Sequence, residues 1–175
     1  DDDRGNASNG GEFGAFYVVY LQSNGESLSH QKVSAVSGCL GGNVLSKDDL
    51  FGWSLANIGD FDNDGVTDLA VGSPGDDAGD TDKGAIYLLY MNSDGTVKGH
   101  DKISQTDGGL SVTLEKRGYF GSAITNLGDL DGNGAVDLAV GARESGPGLK
   151  KYGAVYILFM NIDGSVLSDH EISEG

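Results

Sequence analysis

Two stretches of this chain carry oxygen donors at intervals that suit a hard cation. Asp60, Asp62, Asp64 and Asp68 stand at positions 1, 3, 5 and 9 of one loop, and Asp129, Asp131, Asn133 and Asp137 take the same places in a second. Short side chains at alternating positions converge on one point, and the carbonyls at position 7, those of Val66 and Ala135, are expected to turn inward. Gly65 frees the first loop to bend sharply. An all-oxygen set in a flexible loop suits Ca²⁺ better than Mg²⁺ or a thiophilic metal. The spacing therefore predicts two calcium sites. Asn133 keeps an oxygen but drops the charge that Asp64 supplies, so the second site is expected to be the weaker.

Two other readings of these loops compete with that one. An EF-hand loop begins similarly but needs a bidentate Glu at position 12 and a helix on each side. Position 12 is Val71 or Val140, inside a β-like run, so the EF-hand reading fails. An Asp/Gly-rich turn that binds nothing is the plainer alternative, since Asp, Asn and Gly favour turns. A turn alone, however, has no need of carboxylates at alternating positions, and here the pattern occurs twice in register.

The loops lie inside a repeat. Residues 51–74 return 69 residues later as 120–143, and residues 51–104 and 120–173 align without a gap at 24 identical positions of 54, which marks one supersecondary unit used twice. Its second half occurs a third time, because residues 14–34 align with 84–104 and 153–173. Each full unit reads as four antiparallel strands: one after Phe-Gly, one at Asp-Leu-Ala-Val-Gly, a nearly continuous apolar third, and a shorter fourth. The turns at residues 92–95 and 161–164 carry Gly95 and Gly164 where a hairpin needs positive φ. A third strand apolar on both faces requires sheets packed on both sides. Four-stranded units with that need predict an all-β fold of β-propeller blades. The expected division is a half-blade with its connecting loop at 1–50, a blade at 51–119 and a blade at 120–175.

Ten strands make two complete blades and an N-terminal half-blade, fewer than the four blades with which propellers usually close. The expectation is that the chain belongs to a longer protein or an oligomer. Its apolar strand at residues 16–21 would then present an unpaired edge and an uncovered face to other chains or to the rest of a longer one.

Phe-Gly at 51 and 120, the Gly-Asp-x-Asp-x-[Asp/Asn]-Gly loops, and Gly-Ser-Pro or Gly-Ala-Arg at the end resemble FG-GAP repeats. Those are the blades of the β-propeller in the integrin α-subunit head and in many microbial and algal surface proteins. The resemblance covers nearly the whole chain and implies a non-catalytic, calcium-binding, extracellular or cell-surface segment used in adhesion, protein–protein interaction or surface assembly. In integrins the end of the propeller opposite the calcium loops meets ligand. By resemblance the candidate binding face is formed by the loops at 35–50, 75–83, 105–119 and 144–152, with a protein, glycan or matrix partner. One departure is Ala142-Arg143, where the family usually carries Ala-Pro.

Composition narrows the function classes. Thirty Gly, two Pro and many short Val/Ile/Leu/Tyr runs fit an all-β chain rich in turns, and no window is long and apolar enough to be a membrane span. The net charge of −16 argues against nucleic acid as a partner, since no basic patch exists to displace counterions from phosphate. Cys39 is the only cysteine, so no internal disulfide forms, and calcium can supply the cross-linking instead. Millimolar extracellular calcium would keep even weak sites filled, which favours an extracellular address. Asn6 begins the only N-glycosylation sequon, and residues 1–11 show no basic-then-apolar leader pattern.

For catalysis the chain offers no G-x-S-x-G elbow, no H-E-x-x-H and no P-loop. His30, His100 and His170 recur near one repeat position and read as structural. The alternative function is a fragment of a calcium-dependent propeller enzyme acting on polysaccharide, in the manner of a lyase. Arg143 with Lys150, Lys151 and Tyr152 is the only group that could serve such chemistry.

Overall fold

A computed structural model of the chain describes residues 13–38, 40–41, 44–145 and 152–174. Asn6, Cys39, Lys150 and Lys151 lie outside the described residues. Ten strands occur in order: β1 (Ala15–Leu21), β2 (Ser27–Ser34), β3 (Leu55–Gly59), β4 (Asp68–Ser73), β5 (Ala85–Met91), β6 (Val97–Ser104), β7 (Phe120–Gly128), β8 (Asp137–Ala142), β9 (Ala154–Met160) and β10 (Val166–Ser173). They form a two-stranded sheet, β1-β2, and two four-stranded sheets, β3-β4-β5-β6 and β7-β8-β9-β10. Every pairing is antiparallel between chain neighbours, so each sheet is a simple meander. No helix occurs among the described residues, and none is long and apolar enough to cross a membrane. The sheets are the expected propeller blades, and they stand open rather than closed into a ring.

The middle blade shows why the third strand is apolar throughout. On one face of β5, Ile86 and Leu88 pack in a cluster with Phe120, Leu138, Val140, Tyr156 and Leu158 of the last blade. On the other face, Tyr87 and Leu89 pack with Phe16, Val33 and Phe51. Aromatic rings punctuate both seams: Phe51 meets Tyr87 edge-on at 5.7 Å between centroids, and Phe120 meets Tyr156 at 5.5 Å. Gly14 and Gly84 precede β1 and β5 because the next unit's Phe-Gly crosses there. Gly84 has φ +89°, and a Cβ there would lie 2.1 Å from the Phe120 carbonyl oxygen; Gly14 has the same relation to Phe51.

Two expectations need correction. The fourth strand is not the shorter one: β6 and β10 have eight residues against seven in β5 and β9, because a bulge lets each outlast its partner. The first strand does not always begin after Phe-Gly, since β7 starts on Phe120 itself. The expected uncovered face of β1 is not its Phe16 side, where Phe16 is buried against Phe51 and Val33 is fully buried. The opposite face is the open one, with Tyr17 53%, Val19 49% and Leu21 63% exposed. At repeat-equivalent positions in β5, Tyr87 and Leu89 are buried, so what β1 lacks on that side is a neighbouring sheet.

The three histidines sit beside third-strand aromatic rings: His30 near Tyr17, His100 near Tyr87 and His170 near Phe159, at 5.8–6.1 Å between centroids.

Candidate metal centres

Each acidic loop is the hairpin between the first two strands of a blade, and a repeated Asn-x-Gly-Asp sequence sets its entry. Asn57 accepts the amide of Gly59 at 2.8 Å, and Asn126 accepts that of Gly128 at 2.7 Å. Both glycines have φ +77°, and the strand register shifts at both points. A bulge of this kind adds a residue on one strand and re-aims the neighbouring side chains, here Asp60 and Asp129.

Within the first loop Asp60, Asp62 and Asp68 each present a carboxylate oxygen within 4.8 Å of the others. Asp129, Asp131 and Asp137 do the same in the second. Two members of each trio are exposed and the third, Asp68 or Asp137, is fully buried. The buried residue ties the hairpin to the next strand. Asp68 accepts the amides of Phe61 at 2.8 Å and Met91 at 2.8 Å, with that of Asp62 at 3.3 Å. Asp137 accepts those of Leu130 at 2.7 Å and Met160 at 2.9 Å. Asp60 accepts the amides of Asp64 and Gly65, and Asp129 those of Gly132, Asn133 and Gly134, so position 1 wraps the loop around itself.

At position 5, Asp64 stands outside the first trio. Asp64 accepts the amide of Val66, and Asn133 accepts that of Ala135, each at a two-residue step that tightens the turn. Asn133 also donates to the Met160 carbonyl at 2.8 Å and to Asp131 at 3.1 Å. In the first loop the corresponding partner is a residue that sequence reading missed. The Lys98 ammonium, from β6, lies 2.6 Å from Asp62 and also contacts Asp64. This contact holds the Asp64 carboxyl below the usual carboxylate range and raises Lys98 above its ordinary value. The donor chemistry of both loops, carboxylates with hard oxygens and no sulfur or imidazole, fits calcium.

The turns at 92–95 and 161–164 lie at the same end of the blades. Asp94 and Asp163 each accept an amide and a hydroxyl from the residue two positions on, Thr96 or Ser165, which accounts for them as turn residues. At the other end the connecting loops brace one another through backbone bonds, Gly75 to Asp49, Arg117 to Thr81, Tyr119 to Asp82 and Glu144 to Gly118. Arg143, at the departure from Ala-Pro, places its guanidinium 4.3 Å from the Tyr119 ring centroid and 5.3 Å from that of Trp53.

Comparison with known proteins agrees with this geometry. The FG-GAP repeat model matches residues 51–89 and 120–158, the two segments that each run from Phe-Gly through the acidic loop into the third strand. Integrin alpha-6 of Homo sapiens is 33% identical over 132 residues, covering 75% of this chain and 10% of that protein. Integrin alpha pat-2 of Caenorhabditis briggsae is 38% identical over 96 residues, 55% of this chain and 7% of that protein. A phosphatidylinositol-glycan-specific phospholipase D of Bos taurus is 34% identical over 124 residues, 70% of this chain and 14% of that protein. The chain thus spans about a tenth of the length of the relatives it matches. With two matched repeats laid out as four-stranded antiparallel sheets, the chain carries two FG-GAP repeats and is similar over that region to integrin α-subunits.

Proposed function

We propose that this chain is a calcium-stabilised, non-catalytic segment of an extracellular or cell-surface β-propeller, used in adhesion, protein–protein interaction or the building of a surface assembly. One observation carries the reading: two repeat-equivalent hairpins each gather three carboxylates, and each is pinned by a buried Asp to the third strand of its blade. Calcium would be held by Asp60, Asp62, Asp64, Asp68 and the Val66 carbonyl in one loop. Asp129, Asp131, Asn133, Asp137 and the Ala135 carbonyl would hold it in the other. The ion supplies no chemistry beyond cross-linking the first two strands and cancelling their repulsion.

Other protein chains, or the rest of a longer one, complete the propeller. The last blade supports this: Val155 is 42% and Ile172 61% exposed, where Ile86 and Ile103 at equivalent positions of the middle blade are fully buried. A groove lined by Ser122, Arg143, Tyr152, Val155 and Ile172 runs along that face. The braced loops at the opposite end are the proposed surface for a protein, glycan or matrix ligand. They hold Asp48, Leu50, Asp82, Arg117 and Tyr119 in the left-handed region, strain of the kind that concentrates at binding sites. Thermal melting with calcium and with chelator tests the reading: calcium should raise the midpoint by several degrees, and an unchanged midpoint would reject a structural metal.

The similarity to a phospholipase D favours a second reading, in which such blades accompany an enzyme. Hydrolysis of a glycosylphosphatidylinositol by a longer protein that carries these blades would support it over the first.

A further inference from the structure

We propose that Lys98 is a tethered counter-cation of the first loop, holding its carboxylates together without calcium and competing with calcium for them. The inference rests on the calcium reading of these loops. Lys98 lies 34 residues beyond Asp64, on the outermost strand of the blade, yet its ammonium reaches two of the proposed ligands, Asp62 and Asp64. No other lysine contacts either loop among the described ion pairs.

The second loop shows that the repeat does not require this contact. Its residue equivalent to Lys98 is Leu167, which is 55% exposed and brings no charge. There the neutral amide of Asn133 does the bridging, to Asp131 and the Met160 carbonyl. The two changes are linked by charge. In the first loop four carboxylates less one ammonium leave three negative charges, and in the second Asp129, Asp131 and Asp137 leave three. The advantage expected for the first loop from Asp64 is thereby cancelled. Beyond the charge count, the ammonium sits on ligand oxygens that calcium needs, so it must be displaced, and its flexible four-carbon stem lets it withdraw. The first loop is therefore the one that keeps its shape when empty and binds calcium less tightly. The second depends more on the ion.

This makes a prediction of opposite signs that a purely structural lysine would not produce. Lys98→Leu, which copies the second loop, and Lys98→Gln, which keeps a polar side chain, should lower the melting midpoint in chelator yet tighten calcium binding. Calcium chloride would be titrated calorimetrically into the full chain at physiological salt, with Asp129→Asn and Asp131→Asn disabling the second loop. Two exposed ion pairs of ordinary strength correspond to about a 2- to 30-fold tighter dissociation constant at the first loop. Leu167→Lys, in the chain with both loops intact, should weaken the second site by a similar factor. Calcium binding that is unchanged or weaker in both Lys98 variants overturns the proposal while leaving the calcium reading intact. Absence of calcium uptake by the variants and the parent alike overturns both.

Discussion

Replacing Asp68 with Ala separates the architecture of the first loop from its metal. The carboxylate is fully buried, and its two short bonds, to the amides of Phe61 and Met91, join the hairpin to the third strand of the same blade. Hydrogen bonds to a charged group contribute about 1.5–3 kcal/mol each, and a buried donor left unpaired costs a comparable amount. Two such bonds give about 3–6 kcal/mol, a large part of the roughly 5–15 kcal/mol that holds a domain folded. The weaker 3.3 Å bond from Asp62 is left out of that figure. The loss should appear in full in chelator, since none of these partners is a metal. Asp62→Ala removes an exposed carboxylate whose described ion pair is with Lys98, so in chelator it should cost no more than about 1 kcal/mol. Urea unfolding in chelator, with midpoints and slopes compared, measures both. Equal destabilisation by the two changes would refute the assignment of Asp68 as the tie between hairpin and strand.

The same geometry has other consequences. With calcium present, Asp62→Ala should destabilise more than Asp94→Ala, whereas the Asp94 effect, from its lost turn bonds to Thr96, should be the same with and without calcium. Thermal melts of both variants in the two conditions would show this. Burial pushes the Asp49 carboxyl up to about 7, with nearby Asp76 adding to the effect. Between pH 4 and 7 the folded chain then holds a proton that the unfolded chain releases, so this residue costs stability as pH rises through that window. Asp49→Asn should leave stability unchanged near pH 4 and raise it near pH 8 by an amount whose ceiling is on the order of 4 kcal/mol; a pH-independent difference would contradict the burial argument. Sedimentation at low micromolar concentration should show association through the open face of Tyr17, Val19 and Leu21, and Val19→Lys should reduce it; a compact monomer with β1 protected from hydrogen exchange would count against that surface.

What the sequence discloses here is what lies close together along the chain. The 69-residue period, the ten strands and the carboxylate spacing at 60–68 and 129–137 are local patterns; the structure brings together three of the four carboxylates expected in the first loop, leaving Asp64 out, and the three of the second. Contacts that cross from one hairpin to another are not legible in this way. Lys98 reads as an ordinary solvated strand residue until the fold sets it against Asp62 and Asp64. The covering of Phe16 likewise depends on Phe51 crossing from the next unit. The Asn57 and Asn126 bulges had a signal, the Asn-x-Gly repeated in both copies just ahead of the acidic loop, and it could have been found. The double duty of Asp68 could not, because Met91 lies 23 residues away on a different strand.

The central claim is that the two acidic hairpins are calcium sites, and direct counting of bound ions tests it. Chelator-stripped chain, dialysed to equilibrium against calcium up to millimolar concentration at physiological salt, should take up two ions. One should be lost in Asp60→Asn and one in Asp129→Asn. No saturable uptake, or two ions retained when both residues are replaced together, would contradict the account.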